Sequence, residues 1–235
     1  MDPRLGVLAF GDSITNGGGE LQWGVALQSW ALWTARGLGL PFTGCAVDGA
    51  TAEHVVRAQI AGFRATAAAP EARYDLGCLY VGANDVRAPA WDPATYDREL
   101  RVALAFLSER CDRRLACTIP RDLGRPRAGR RVEEANALIE RAAAQLGALV
   151  VDLRGFGARN LIMVDAVHPT ALGQIAIAER ALDVLAADGM AVRVRPRTLI
   201  AYETNRRRRL RGDATYAYRQ AKQALRTFGT RVRRT

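Results

Sequence analysis

Short runs rich in Val, Leu and Ile alternate along the chain with longer stretches in which apolar side chains recur every three or four positions. Buried parallel strands read as near-continuous apolar runs and amphipathic helices as the longer period, so the alternation predicts successive βαβ units. Leu5 to Phe10 reads as the first strand, followed by a helix over 23–37 with Trp23, Leu27, Trp30, Ala31 and Thr34 on one face. Pro41 to Val47 is the second strand; Thr51 then caps a helix to about Ala68, with Glu53 and His54 in its first turn. Leu76 to Val81 is the third strand, and Asp92 or Pro93 opens a helix to about Arg110. Leu115 to Ile119 is the fourth, a loop from Pro120 to Arg130 leads to a helix ending near Leu146, and Ala148 to Leu153 is the fifth. Pro169 stands where a first helical residue belongs, and that last helix runs to about Ala187.

Five strands with intervening helices predict a three-layer α/β/α sandwich on a five-stranded parallel sheet, flavodoxin-like, over residues 1–190. Residues 191–235 form a separate extension. The 235 residues suffice for one such domain and its appendage. The formal charge of +10 changes the picture only once it is located: residues 193–235 hold 14 basic and 2 acidic side chains, while the body is near neutral. No apolar run reaches the roughly 18 residues of a spanning helix, and Leu5 to Phe10 is too short for a secretory signal. Cys45, Cys78, Cys111 and Cys117 lack C-x-x-C spacing, and three lie among apolar residues. Reduced core thiols, and with them a cytoplasmic protein, peripheral to the membrane if the tail acts on one, are the expectation.

Ligands of such sheets bind beyond the carboxyl ends of the strands. Four polar clusters fall there: Gly11-Asp12-Ser13 after the first strand, Asp48-Gly49-Ala50-Thr51 after the second, Gly82-Ala83-Asn84-Asp85 after the third, and Asp165-Ala166-Val167-His168 after the fifth. Singly each has a structural explanation: a turn, a glycine needed by the backbone, an asparagine bracing its loop. Together they hold what nucleophilic catalysis requires. A serine hydroxyl needs a base within about 3 Å, and the chain has two histidines, His54 and His168. His168 has Asp165 three residues before it to fix its tautomer; His54 has no carboxylate so placed.

In these four blocks the chain resembles the GDSL-type esterases and lipases of the SGNH hydrolase superfamily, over about residues 5–188. The resemblance implies Ser13 as nucleophile, Asp165 and His168 as its partners, and an oxyanion hole made by Ser13, Gly49 and Asn84. It implies acyl-ester hydrolysis without cofactor or metal. Asp48 departs from the family pattern, standing where a neutral residue is expected. The nucleophile is also not in a G-x-S-x-G setting, so no strained elbow is expected.

The substrate is less defined than the reaction. Trp91 is a candidate wall of an acyl pocket. The arginines of the loop after the fourth strand, Arg121 and Arg125 among them, would favour a phosphate or carboxylate on an amphiphilic ester such as a lysophospholipid. The rival is a short-acyl or acetyl esterase acting on sugars. A different class, a basic-tailed membrane- or nucleic-acid-binding protein on an inactive hydrolase fold, is disfavoured by the intact Ser13, Asp165 and His168. The tail predicts an amphipathic helix at about 213–234, with Tyr218, Ala221, Leu225, Phe228 and Val232 on one stripe and Arg219, Lys222, Arg226 and Arg233 beside it. Such a helix suits an anionic membrane surface, docking on the body or a second subunit better than nucleic acid.

Overall fold

The computed structural model describes residues 4–21, 25–66, 72–158, 160–200 and scattered positions from 207 to 222. Five parallel strands form one sheet: β1 (Val7–Gly11), β2 (Phe42–Gly44), β3 (Tyr74–Tyr80), β4 (Cys111–Cys117) and β5 (Leu149–Val151), in the order β2-β1-β3-β4-β5. The order reverses beside β1, which pairs with β2 on one side and with β3 on the other. That reversal is where the loops beyond the strand ends diverge and leave a crevice.

The helices cover both faces. α1 (Ser13–Asn16) is a single turn after β1. α2 (Trp30–Leu38) packs against α7 (Ala171–Ala187), and α5 (Pro93–Arg110) packs against α6 (Arg130–Leu146) and against the segment formed by α3 (Ala52–His54), a π-helix (Val55–Ile60) and α4 (Ala61–Thr66). β1 and most of β3 are buried throughout, as strands covered on both faces must be. Phe10 of β1 meets Phe63 and Phe106 edge-on, ring centroids 5.8 Å apart in each case, which ties α4 and α5 to the middle of the sheet.

Several boundaries differ from the sequence reading. The helix expected from Trp23 begins at Trp30: the Ser29 hydroxyl caps the N–H of Leu32, and the side chain of Gln174 on α7 accepts from the N–H of Trp30, fixing the start there. The helix after Thr51 is capped as expected, Thr51 Oγ1 accepting from the N–H of His54, but is interrupted by the π-helical turns. β4 begins four residues early because its first half carries Asp112, Arg113 and Arg114 at the solvated end of the sheet, where an apolar run gives no signal. Pro169 pairs with Ile162 in a short antiparallel bridge, and Thr170 rather than Pro169 starts α7, its hydroxyl accepting from the N–H of Gly173.

Residues beyond α7 continue along the body as far as Ile200. The N–H groups of Arg193 and Val194 donate to the carbonyl of Gly37, and Arg195 and Arg197 both pair with the buried carboxylate of Glu179. A 3₁₀ turn (Pro196–Leu199) closes the described segment. Most of the helix expected at about 213–234 lies outside the described residues; the five positions described within it, Ala214, Ala217, Tyr218, Ala221 and Lys222, are helical and exposed. Among the described residues no helix is long and apolar enough to cross a membrane. Cys78, Cys111 and Cys117 are buried and Cys45 is half-buried; all four are free thiols, and burial pushes each thiol above its ordinary range.

Candidate active site

Asp12 and Ser13 follow directly from β1. The Asp12 side chain caps α1 by accepting from the N–H of Ile14 at 3.0 Å, so Ser13 is the first helical residue and its own N–H has no helical partner. Two buried glutamines hold this corner. Gln59, on the π-helical turns, accepts from the N–H of Gly11 and donates to its carbonyl; Gln174 of α7 donates to the carbonyls of Ile14 and Gly18. Gly11 is obligatory here: at φ +150° a Cβ would fall 2.3 Å from the carbonyl oxygen of Tyr80.

The loop before α7 carries the partner. Ser13 Oγ lies 2.8 Å from His168 Nε2, and His168 Nδ1 lies 2.6 Å from Asp165 Oδ2. The other carboxylate oxygen of Asp165 accepts from the N–H groups of Val167 and His168, at 2.8 and 3.0 Å. This tight turn requires Ala166 at φ +56°, and it is moored by the N–H of Gly124 donating to the carbonyl of Ala166. With Nδ1–H directed at Asp165, Nε2 is left as an acceptor for the serine proton. Ser13 is 8 % exposed, close enough to the surface to be reached and otherwise enclosed.

Electrostatics support that assignment of protons. The hydrogen bond to Asp165 raises the His168 pKa above its ordinary 6.5 against the opposing effect of burial; the charges of Asp165 and Asp12 add to the rise and that of Arg87 subtracts from it. Burial alone would lift the Asp165 carboxyl, but the bonds from the His168 ring and the two N–H groups outweigh it and hold it below the usual carboxylate range. Asp12 differs. Fully buried, with Oδ2 unpartnered, its carboxyl is pushed up to about 7 by desolvation, which the Ile14 N–H and the charge of His168 only partly offset.

The loops after β2 and β3 complete the crevice. Gly49 adopts φ +77°, and a Cβ there would meet nothing within 4 Å. The left-handed backbone at this position favours glycine. The Gly49 N–H makes no hydrogen bond within the described residues. Asn84 donates one amide proton to the carbonyl of Ala50 at 3.0 Å, which joins the two loops and leaves its second N–H available. Asp85 does the same one residue on, accepting from the N–H of Ala52; burial pushes its carboxyl up to about 6 despite that bond. Asp48 accepts from Asn16 Nδ2 at 2.9 Å, so the unexpected carboxylate ties the second loop to α1.

Other expected residues lie further out. Trp91 is half-buried beside Tyr96, donates to Glu134, and lines a cavity of about 300 Å³ with Thr51, Ala52, Asp85 and Thr95; neither Ser13 nor His168 lines it. Arg125 borders a 40 Å³ cleft with Met163 and Ala166, but its guanidinium turns back onto Asp122 and the carbonyls of Asp122 and Gly124. Arg121 is exposed, with no side-chain bond among the described residues. His54 is exposed and contributes only its N–H to the Thr51 cap. Gln59 and Gln174 went unread in the sequence; an uncharged amide on otherwise apolar helical stretches is the one signal they leave.

The GDSL-like lipase/acylhydrolase family matches residues 9–176. Among solved structures, a member of the lipolytic protein G-D-S-L family from Veillonella parvula is similar at 22% identity and a TM-score of 0.61, over 77% of this chain and 97% of its own. A catalytic mutant of Axe2, an acetylxylan esterase from Geobacillus stearothermophilus, is similar at 20% identity and 0.61, over 83% and 100%. LAE5, an alpha/beta hydrolase enzyme from the metagenome of Lake Arreo, Spain, is similar at 22% and 0.59, over 77% and 94%. No curated protein matches the chain.

Proposed function

The chain belongs to the GDSL-like lipase/acylhydrolase family, and we propose that it cleaves carboxylic esters with Ser13 as nucleophile, His168 as general base and acid, and Asp165 orienting His168. It is a serine hydrolase of that family. The observation that carries the residue assignment is the continuous relay Ser13 Oγ, His168 Nε2, His168 Nδ1, Asp165 Oδ2, with both links at hydrogen-bond length.

Ser13 Oγ attacks the ester carbonyl carbon as its proton passes to His168 Nε2. The tetrahedral oxygen faces three N–H donors: the backbones of Ser13 and Gly49 and the free amide proton of Asn84. Each such donor is worth about 3 kcal/mol in the transition state. Collapse breaks the bond to the alcohol oxygen, which takes the proton from His168 and leaves an acyl-serine. Water repeats the sequence, giving its proton to His168 and releasing the acid.

Short-acyl esters are the favoured substrates, since the similar Axe2 is an acetylxylan esterase. Lysophospholipid is the second reading, favoured by the basic tail. The test is fluorophosphonate labelling of the wild type and of Ser13→Ala, alongside p-nitrophenyl esters of graded chain length, acetylated sugars and lysophospholipids. Labelling that persists in the Ser13→Ala protein refutes the assignment. Turnover that rises with acyl length would replace the short-acyl reading with the lipolytic one.

A further inference from the structure

Among the arginines around the crevice, one stands beside the turn that presents His168 with its backbone pinned and its charge unclaimed. Arg131 donates to the carbonyls of Val86 and Ala88, on either side of Arg87, while the N–H groups of Val86 and Ala88 return to Gly82 and to Asn84 and Asp85. Arg87 itself is exposed and has no ion pair or hydrogen bond with any described residue. Its neighbours differ: Arg125 and Arg127 both pair with Asp122. The Arg87 stem runs beside Gly124, where an added Cβ would stand 3.4 Å from Arg87 Nε, and Gly124 is bonded to Ala166 in the turn that presents His168. The guanidinium is thus close enough to the His168 ring for its charge to lower that ring's pKa.

We infer that Arg87 is a specificity residue that recognises a carboxylate or phosphate group carried by the ester substrate, next to the bond being cleaved. This rests on the serine-hydrolase reading above. A cation that costs the general base some of its basicity, and is compensated by no acid among the described residues, is accounted for if the missing acid arrives with the substrate. A planar guanidinium on a fixed backbone offers two parallel N–H donors to such a group, where a lysine would offer a point charge. The placement also assigns to Arg87 the role that composition suggested for Arg121 and Arg125.

The test compares esters matched but for a carboxylate capped as its methyl ester: p-nitrophenyl methyl succinate with p-nitrophenyl hemisuccinate, whose carboxylate is on the acyl side, and methyl 4-acetoxybenzoate with 4-acetoxybenzoate, whose carboxylate is on the alcohol side. The readout is the ratio of kcat/KM for the charged ester to that for its neutral partner, in wild type, Arg87→Met, Arg87→Lys and, as a comparator, Arg121→Met. Comparing variants on the same pair cancels the intrinsic reactivity of each ester. The expected result is a ratio that falls about tenfold in Arg87→Met for one of the two pairs, is partly kept by Arg87→Lys, is lowered by added salt in the wild type, and changes less in Arg121→Met. The pair affected reveals which side of the ester carries the anion. Neutral esters cleaved by all four proteins with ratios that Arg87→Met leaves in place would overturn the inference while the hydrolase reading stands. A wild type that cleaves none of the four esters and takes no fluorophosphonate would overturn both.

Discussion

Replacing Asp12 by Asn keeps the shape of the side chain and the oxygen that caps Ile14, and removes only the ability to ionise. In the folded chain the Asp12 carboxyl sits at about 7 against an ordinary 3.8, because it is fully buried with one oxygen unpartnered. A pKa raised by folding contributes stability that is present below the unfolded value and is lost as pH rises through the folded one. Three units at about 1.4 kcal/mol each make the swing about 4 kcal/mol between pH 4 and pH 8, a large share of a typical domain stability of about 5–15 kcal/mol. Urea unfolding of both proteins across that range exposes the effect, since titrating groups that do not feel the charge of Asp12 cancel in the difference, and only the smaller change at His168 adds to it. Near pH 4 the two should be similar, because a protonated carboxyl and an amide are both neutral and nearly the same shape. By pH 8 Asp12→Asn should be the more stable by up to about 4 kcal/mol, with an unchanged m-value. The negative charge of Asp12 also raises His168, so the acid limb of kcat/KM should move to lower pH in the variant. A stability difference that stays flat from pH 4 to 8 would refute the reasoning, for it would mean that Asp12 finds water or a proton donor on unfolding-scale terms within the folded chain.

For the wild type, kcat/KM should rise with pH through a midpoint above 6.5, because the base must be neutral and its pKa is raised chiefly by Asp165; Asp165→Asn should lower that midpoint and cut kcat about a thousandfold or more. Asn84→Ala should lower kcat about a hundredfold with little change in KM, since its free amide proton serves the transition state; a rise in KM alone would make it a substrate-binding group. A chain ending at Ile200 should keep ester hydrolysis and near-native Tm, whereas one ending at Ala191 strips Glu179 of Arg195 and Arg197 together with the segment that carries them and should lose about 1.5–3 kcal/mol in urea titration. The full chain should co-sediment with anionic but not zwitterionic vesicles, and more weakly in salt; equal sedimentation of the chain ending at Ile200 would remove the tail from membrane binding.

The strands were legible because a buried parallel sheet writes itself as apolar runs, and the clusters at their ends gave Ser13, Gly49, Asn84, Asp165 and His168 as a set. What the sequence hid is geometry without a composition signal. The π-helical turns that aim Gln59 at Gly11 leave an ordinary helical period. The early start of β4 is masked by Asp112 and Arg113. Arg121, Arg125 and Arg87 look alike as letters; the carboxylate of Asp122 within reach of Arg125, and the closeness of Arg87 to the turn that presents His168, separate them. Asp48 had no visible purpose until Asn16 stood opposite it.

The nucleophile and its base are 155 positions apart, and Gln174, which braces the serine corner, comes later still. Chains are made from the N-terminus, at about 5–20 residues per second, so a nascent chain displays Ser13 for many seconds before His168 exists. During that interval the serine is an ordinary alcohol. Long-range contacts of this kind form late in folding as well, so the relay closes only when β1 and the turn before α7 have both reached their places across the sheet. Hydrolysis therefore reports complete assembly: recovery of activity on refolding should lag the return of helical structure.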